Sequence, residues 1–332
     1  MKRFLITYIF LFCAIYSFAQ DKPIVHDPVV IQQDDTYYLF CTGKGIASYT
    51  SKDLINWEKA PAIFAEKPKW TDKVVPDFNN HIWAPDVAFH NGKYYVYYSV
   101  SAFAKNTSAI GLVTNATLNP KDENYKWEDH GIVIQSVPNR DLWNAIDPNL
   151  IFDEEDTPWL AFGSFWDGLK MVKLTSDLKS VAEPQEWHTI ARRERDFELD
   201  DKDPGNAALE APFIFKKDGY YYQFLSWDLC CRREKSTYKV VVGRSETATG
   251  PYVDKEGKEL NQGGGTLVIE GNENWYGIGH NSVYHFNLPT GQAGGKDYYF
   301  SHAYDANDKG APKLIVKEIT WVDGWPTVKP LD

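Results

Sequence analysis

The stretch Glu210-Ala211-Pro212-Phe213-Ile214-Phe215-Lys216-Lys217-Asp218-Gly219-Tyr220-Tyr221-Tyr222-Gln223-Phe224 contains a short unit that recurs along the chain. It starts with an acidic residue near proline, continues into an apolar segment, turns at Asp218-Gly219 and enters an aromatic segment. Short aromatic and β-branched runs on either side of such a turn predict two antiparallel strands. The unit therefore predicts a β-hairpin that begins with a carboxylate.

Four other segments repeat this order of features, whereas long helical periodicity is nearly absent. A blade of four short strands cannot bury both faces alone, so about five such units predict a closed ring of blades. We predict an all-β, five-bladed β-propeller that forms a single domain over residues 21–332; a two-sheet β-sandwich is the alternative. The five openings are His26-Asp27-Pro28-Val29, Ala84-Pro85-Asp86-Val87, Asp147-Pro148-Asn149-Leu150, Glu210-Ala211-Pro212-Phe213 and His280-Asn281-Ser282-Val283. Second strands are predicted at Thr36–Phe40, Lys93–Tyr98, Pro158–Phe162, Tyr220–Phe224 and Asp297–Phe300, and outer strands in Gly45–Ser51, Ala109–Thr114, Leu169–Leu174, Tyr238–Arg244 and Lys313–Ile319.

Residues 1–20 are predicted to be a secretory signal peptide. Lys2-Arg3 precede the apolar run Phe4–Ile15, and Ser17-Phe18-Ala19 forms a small-x-small exit before polar residues. The alternative is a retained N-terminal anchor. No later stretch is apolar enough to cross a bilayer, so we expect an exported protein, periplasmic or extracellular, without membrane insertion after removal of the signal.

Composition excludes some functions. The 332-residue chain has 46 acidic and 35 basic side chains, a net charge of −11, which disfavours binding to nucleic acid. Removal of the signal peptide leaves Cys41, Cys230 and Cys231. The adjacent pair has no CxxC or histidine partner at metal-ligand spacing, so we interpret it as structural.

The blade openings are expected to converge at one end of the central channel, because the first strand of each propeller blade lines the axis. They supply Asp27, Asp86, Asp147, Glu210 and His280. Like charges repel, so such a cluster indicates function more than stability. Cleavage of a glycosidic bond needs one protonated carboxyl and one carboxylate, and a third carboxylate can raise the pKa of the proton donor. Asp86 is shifted in register and is expected to be a supporting group.

The sequence resembles glycoside hydrolase family 43, and within it the arabinan endo-1,5-α-L-arabinosidases, from about Val25 to Trp325. The resemblance rests on an ordered set of motifs. These are His26-Asp27-Pro28, His81-Ile82-Trp83-Ala84-Pro85-Asp86, Ser99-Val100-Ser101-Ala102-Phe103, Asn106-Thr107-Ser108-Ala109-Ile110-Gly111, Trp143-Asn144-Ala145-Ile146-Asp147-Pro148, Gly163-Ser164-Phe165-Trp166, Glu210-Ala211-Pro212-Phe213, Trp227-Asp228-Leu229-Cys230-Cys231-Arg232 and Gly279-His280-Asn281-Ser282.

The resemblance implies hydrolysis of arabinan, a pectin side chain, and of arabino-oligosaccharides, with inversion at the anomeric carbon. It implies that Asp27 is the general base, Glu210 the general acid and Asp147 the modulator that holds the acid in position. It also implies a calcium ion at His280, coordinated largely through water, and no organic cofactor. The sugar is expected to contact His26, Trp83, Phe103, Gly111, Asn144, Ile146, Ser164, Phe165 and Trp166.

The cutting mode stays open at this stage. Loops Ala104–Ser108, Phe165–Lys170 and Arg192–Asn206 either leave the groove open for internal cutting or close one end. The alternatives are an exo-acting α-L-arabinofuranosidase or β-xylosidase of the same family, and a non-catalytic carbohydrate-binding propeller. The presence of all three acids speaks against the last. A closed propeller needs no partner, so we expect a monomer.

Overall fold

A computed structural model of the chain describes residues 22–196, 198–287 and 294–332. The first group of strands is β1 (Val29–Gln33), β2 (Thr36–Cys41), β3 (Gly43–Lys44), β4 (Ala47–Ser51) and β5 (Glu58–Ala60), followed by the helix α1 (Thr71–Val74). The second group is β6 (His81–His90), β7 (Lys93–Val100), β8 (Ser108–Asn115) and β9 (Glu128–Ser136). The third is β10 (Asn149–Phe152), β11 (Pro158–Phe162), β12 (Leu169–Lys173) and β13 (Trp187–Ala191).

The fourth group contains β14 (Leu209–Lys217), β15 (Tyr220–Trp227), β16 (Lys239–Ser245) and β17 (Thr266–Glu270). The fifth contains β18 (Trp275–Asn287), β19 (Gly295–Asp305), β20 (Ala311–Val322) and β21 (Trp325–Val328). Short 3₁₀ turns occur at Arg233–Lys235, Leu260–Gln262 and Ala306–Asp308.

Each group forms one antiparallel sheet in chain order, except that β3 leaves the first sheet and pairs with β6 of the second. The inner strands β1, β6, β10, β14 and β18 contact one another in sequence, and β18 returns to β1. Five separate sheets around one axis are a five-bladed β-propeller, which confirms the predicted fold and makes the sandwich alternative wrong. Each predicted second strand coincides with or lies within an observed strand.

Five apolar clusters close the ring, one between each pair of neighbouring blades. Successive residues of a strand point to opposite faces, so each blade contributes to the cluster before it and to the cluster after it. The fifth cluster joins the last blade to the first. In order around the ring the clusters pair Phe40 with Val96, Tyr97 with Leu160, Trp159 with Tyr221, Phe224 with Tyr299, and Leu39 with Phe300.

The first described residues attach the N-terminal segment to the last blade. The amide of Val25 donates to the carbonyl of Pro312 over 3.2 Å, and the amide of Leu314 donates to Pro23 over 3.1 Å. The predicted signal peptide, residues 1–20, lies outside the described residues. Within the described ranges, no helix has the length and apolar character needed to span a membrane.

Candidate active site

A cavity of about 960 Å³ lies at the end of the channel where the blades open. Asp27, Asp147, Glu210 and His280 line it. These residues come from four blades, so the ring brings together side chains that are far apart in sequence. The predicted convergence of the openings is confirmed for these four.

Every blade opening contains a residue with left-handed backbone, a conformation that is uncommon outside glycine and concentrates at functional sites. In four blades the amide of this residue donates to a side chain at the end of the second strand of the preceding blade. The pairs are Asp27 to His302 (3.2 Å), Ala84 to Thr42 (2.8 Å), Asp147 to Ser99 (3.0 Å) and His280 to Ser226 (2.8 Å).

The second strand of the third blade lacks such a side chain, and this difference places Asp147 next to Glu210. Thr42 and Gly163 occupy matching places, because their amides donate to the carbonyls of His26 and Ile146. Gly163 has no side chain to accept the amide of Ala211, so the carboxylate of Asp147 accepts it over 3.2 Å. Asp147 is therefore held directly beside Glu210.

Asp27 is buried and surrounded by imidazoles. Its Oδ1 lies 2.8 Å from Nδ1 of His26, 3.2 Å from Nδ1 of His280 and 3.7 Å from Nδ1 of His302. The hydroxyl of Thr42 donates to its other oxygen over 2.5 Å. Burial opposes ionisation, but His26, through its charge and its hydrogen bond, together with His280 holds the pKa of Asp27 well below its usual range. Asp27 is thus a carboxylate, the form that a base requires.

Asp147 lies next to Glu210, and its surroundings favour the protonated form, in contrast to those of Asp27. Burial raises the pKa of Asp147 well above its usual value, and the charges of Glu210 and Asp27 raise it further. The cavity therefore contains one carboxyl group that is held ionised, Asp27, and one whose pKa is raised, Asp147, which is the kind of contrast that acid–base catalysis uses.

Two hydroxyls hold the carboxylate of Glu210. Ser164, which lines the cavity, donates to Oε2 over 2.7 Å, and the buried Tyr238 donates to Oε1 over 2.5 Å. Burial and the charge of Glu210 raise the pKa of Tyr238 well above its usual value, so its hydroxyl stays a donor. Gly279 makes room for the ring, because a Cβ there would lie 2.1 Å from Cδ1 of Tyr238.

Asp86 does not line the cavity but joins two blades. It is 2 % exposed and accepts hydrogen bonds from the amide of Leu150 (2.8 Å) and the side chain of Asn149 (3.3 Å). Burial raises its pKa to about 6. This position agrees with the supporting role predicted from its shifted register.

The imidazole of His280 is suited to bind a metal ion. Burial lowers its pKa, against the charges of Asp27 and Glu210, which favours the neutral imidazole that binds metals. The adjacent Asn281 is 2 % exposed, and neither polar atom of its side chain has a hydrogen-bond partner among the described residues. Such orphaned groups require water or a hydrated ion.

The sugar-contacting predictions agree with the cavity wall except at one position. Phe103 is 74 % exposed at the rim, whereas Trp166 is 1 % exposed and donates its indole N–H to the carbonyl of Asp201 over 2.8 Å. The predicted residues that line the cavity are His26, Trp83, Phe103, Asn144, Ile146, Ser164, Phe165 and Trp166.

Gly111 corrects the prediction. It lies in β8 outside the cavity, where a Cβ would come within 2.6 Å of Tyr98 and 2.7 Å of Trp70. The glycine permits these two rings to pack against the strand, so its role is packing and not sugar binding.

Several residues of the site were not predicted from the sequence. Tyr238 bonds to Glu210, His302 bonds to Asp27 and Tyr304 bonds to His26, and the disulfide between Cys230 and Cys231 lines the cavity. The end of each second strand, one or two positions past the aromatic run, was a usable signal for His302. The pair of cysteines was interpreted as structural, and its position in the cavity wall was not foreseen.

Comparisons with known proteins identify the family of the chain. The family model of glycosyl hydrolases family 43 matches residues 21–326. The chain is 53 % identical to an extracellular exo-α-(1→5)-L-arabinofuranosidase of Cellvibrio japonicus, over 97 % of this chain and 92 % of the relative. It is 41 % identical to an extracellular endo-α-(1→5)-L-arabinanase of Bacillus subtilis, over 92 % and 87 % of the two chains.

A solved structure has the same fold. The α-L-arabinanase of Cellvibrio cellulosa in complex with arabinohexaose superposes with a TM-score of 0.90 at 53 % identity, covering 93 % of this chain and 96 % of that one. The protein is a glycosidase, and it belongs to glycosyl hydrolase family 43.

Proposed function

We propose that the protein hydrolyses the α-1,5-L-arabinofuranosidic bonds of arabinan with inversion at the anomeric carbon. The observation that carries this proposal is the contrast between the carboxyl groups in the cavity, where Asp27 is held ionised among imidazoles and the pKa of Asp147, next to Glu210, is raised. The relatives named for α-1,5-arabinan, and the neighbour that binds arabinohexaose, supply the substrate class.

In this mechanism Asp27 removes a proton from the attacking water while Glu210 protonates the leaving oxygen on the other side of the sugar. Tyr238 occupies Oε1 of Glu210 from the buried side, so the proton is transferred from Oε2, next to Ser164 at the cavity. A hydroxyl both donates and accepts, so Ser164 can bond to either form of the acid. Asp147, held by the amide of Ala211, is proposed to keep the acid in position.

Chain-end attack is a second candidate mode, supported by the loop that follows β13. Arg193 ties this loop to the carboxylate of Asp228 (2.8 Å), and the buried Arg195 donates to the carbonyls of Asp200 and Asp203. Pro204, which follows these anchors, lines the cavity. A loop anchored in this way can close one end of the substrate groove, which favours attack at a chain end. The name of the exo-acting relative suggests the same mode.

The products from linear, debranched arabinan decide between these modes. Internal cutting is expected to give an early ladder of arabino-oligosaccharides, whereas chain-end attack gives one short product from the start. Chromatography of samples taken below about 5 % conversion separates the two outcomes, because secondary cutting is then negligible. Release from aryl xylosides without release from arabinan would contradict the proposed substrate.

We propose that calcium binds at His280. Calcium prefers oxygen ligands, so water is expected to complete the ligand set, and the unpartnered side chain of Asn281 is suited to hold one of these waters. When bound, the ion would supply positive charge near the carboxylates. The cluster of His26, Asp27 and His302 is a poorer calcium site, because its donors are mostly nitrogen.

Removal of calcium is expected to lower the melting temperature of the wild type by about 5–10 °C, because an ion bound only to the folded state stabilises it by mass action. Differential scanning calorimetry after treatment with EDTA, and after addition of calcium or sodium, measures this. The variant His280→Ala is expected to melt lower and to show no response to EDTA. An equal response of the two proteins would place the ion elsewhere.

We further propose export by the signal peptide and action as a monomer. The similarity to relatives described as extracellular supports the first. Mass spectrometry of the mature N-terminus and light scattering test the two proposals.

A further inference from the structure

The disulfide between Cys230 and Cys231 lies in the turn between β15 and β16, at the wall of the cavity. The turn contains left-handed residues at Asp228 and Cys231. Its base is closed by the amide of Thr237, which donates to the carbonyl of Leu229 over 2.9 Å. The disulfide thus constrains a turn whose backbone faces the catalytic groups.

A tyrosine hydrogen-bonds the turn to His26, the neighbour of Asp27, and Sγ of Cys231 also lies 4.0 Å from Nε2 of His26. The amide of Cys231 donates to the hydroxyl oxygen of Tyr304 over 2.7 Å. The same oxygen lies 2.8 Å from Nε2 of His26 and 3.2 Å from Nε2 of His302. His26 and His302 stack with their ring centroids 3.7 Å apart, and His26 in turn contacts Asp27.

The direction of each hydrogen bond follows from its neighbours. The amide of Asp27 donates to Nδ1 of His302, so the proton of His302 is on Nε2 and points to Tyr304. The oxygen of Tyr304 then accepts from His302 and from Cys231, and its own proton goes to Nε2 of His26. Nδ1 of His26 carries the remaining proton and donates it to Oδ1 of Asp27 over 2.8 Å.

We propose that the Cys230–Cys231 disulfide and Tyr304 are positioning groups for the base, so that full turnover requires the oxidised turn. The disulfide keeps the amide of Cys231 on Tyr304, and Tyr304 keeps the N–H of His26 directed at Asp27. Reduction frees the turn, and the hydrogen-bond chain loses its outer end. The inference rests on the proposed role of Asp27 as general base. A disulfide persists in an oxidising compartment, which agrees with the proposed export.

The test combines reduction with removal of the hydroxyl. Tris(2-carboxyethyl)phosphine converts the disulfide into two thiols and is itself oxidised to the phosphine oxide, taking its oxygen from water. The variant Tyr304→Phe keeps the ring and removes the oxygen that joins the chain. We expect Tyr304→Phe to lower kcat on debranched arabinan about tenfold with less than a twofold change in KM, as one lost orienting hydrogen bond does.

Reduction of the wild type is expected to lower kcat about tenfold, and reduction of Tyr304→Phe by less than twofold, because the variant lacks the oxygen that hydrogen-bonds the amide of Cys231 to His26. Such non-additivity is the mark of residues in one network. The matched control is Tyr125→Phe, whose hydroxyl accepts from Trp127 outside the cavity. This control is expected to keep both the kcat of the wild type and its tenfold response to reduction.

Equal effects of reduction in the wild type and in Tyr304→Phe would overturn the proposal, as would an effect confined to KM. If Tyr304→Phe does not fold, the double variant Cys230→Ser/Cys231→Ser replaces it. It is expected to have the kcat of the reduced wild type and no response to the phosphine, and a wild-type kcat would overturn the proposal. An oxidised wild type that releases nothing from arabinan would instead contradict the proposed function.

Discussion

Replacement of Glu210 with glutamine is expected to lower kcat on debranched arabinan by about 10³-fold, within the range attributed to a positioned general acid. Glutamine keeps the size of the side chain and can still bond to Ser164 and Tyr238, but it has no proton of suitable acidity for the leaving oxygen. Initial rates of reducing-end release measure the loss, and the melting temperature verifies that the variant is folded.

The leaving group provides the sharper comparison for Glu210→Gln. A nitrophenyl α-L-arabinofuranoside releases a stable phenolate that needs no proton, so the loss on this substrate should be at least tenfold smaller than on arabinan. Equal losses on both substrates would contradict the role of Glu210 as acid. Glu154→Gln is the matched control, because Glu154 is exposed and pairs with Lys216 outside the cavity.

The pH dependence follows from the acidic pair. The wild type needs a proton at this acidic site, so kcat/KM on arabinan is expected to fall as pH rises through the raised pKa of Asp147. Glu210→Gln removes a charge that raises the pKa of Asp147, and its residual activity on the aryl substrate requires no acid. The decrease toward high pH is therefore expected to be absent for this variant and substrate.

The features of the site that recur in each blade could be predicted from the sequence. Asp27, Asp147 and Glu210 open first strands, and the aromatic second strand predicted at Pro158–Phe162 coincides with β11. These features recur once per blade, so each occurrence supports the others. The fivefold pattern therefore predicted both the ring and the place where its acids meet.

The rest depends on contacts that have no repeat in the sequence. Tyr238 reaches Glu210 only because Gly279 of the next blade leaves space for its ring. Tyr304 joins His26 to a turn more than seventy positions before it, and no local pattern indicates this. The prediction that Gly111 contacts sugar was wrong for a related reason. A motif glycine that packs under aromatic rings cannot be distinguished in sequence from one that lies close to a ligand.

Replacement of Asp27 with alanine is expected to lower kcat by about 10³–10⁴-fold on both arabinan and the aryl substrate, because water then lacks its base. Unlike the loss in Glu210→Gln, this loss does not depend on the leaving group. Azide needs no deprotonation and fits the space of the missing carboxylate, so it is expected to restore turnover of the aryl substrate as an arabinofuranosyl azide. Mass spectrometry and NMR identify that product.

A matched carboxylate distinguishes the base from a structural acid. Asp86→Asn also removes a buried charge from a blade opening, but Asp86 bonds to Leu150 and Asn149 outside the cavity. We expect this variant to lose about 1.5–3 kcal/mol of unfolding free energy, the usual value of hydrogen bonds to a charged group, with kcat changed less than threefold and no effect of azide. If Asp86→Asn lost as much activity as Asp27→Ala, the assignment of Asp27 as the base and of Asp86 as a structural acid would be contradicted.

The anomer that the wild type forms first shows whether the loss of activity in Asp27→Ala is the loss of a base or of a nucleophile. A base that activates water requires the two carboxyl groups about 6.5–9.5 Å apart and gives β-L-arabinofuranose from the α-linked substrate. A nucleophile in the same place would form a covalent intermediate and give the α anomer, and its alanine variant would also react with azide. Proton NMR within the first minutes, before mutarotation, separates these cases. We expect the β anomer, as the proposed inverting mechanism requires, whereas the α anomer would make Asp27 a nucleophile and contradict inversion.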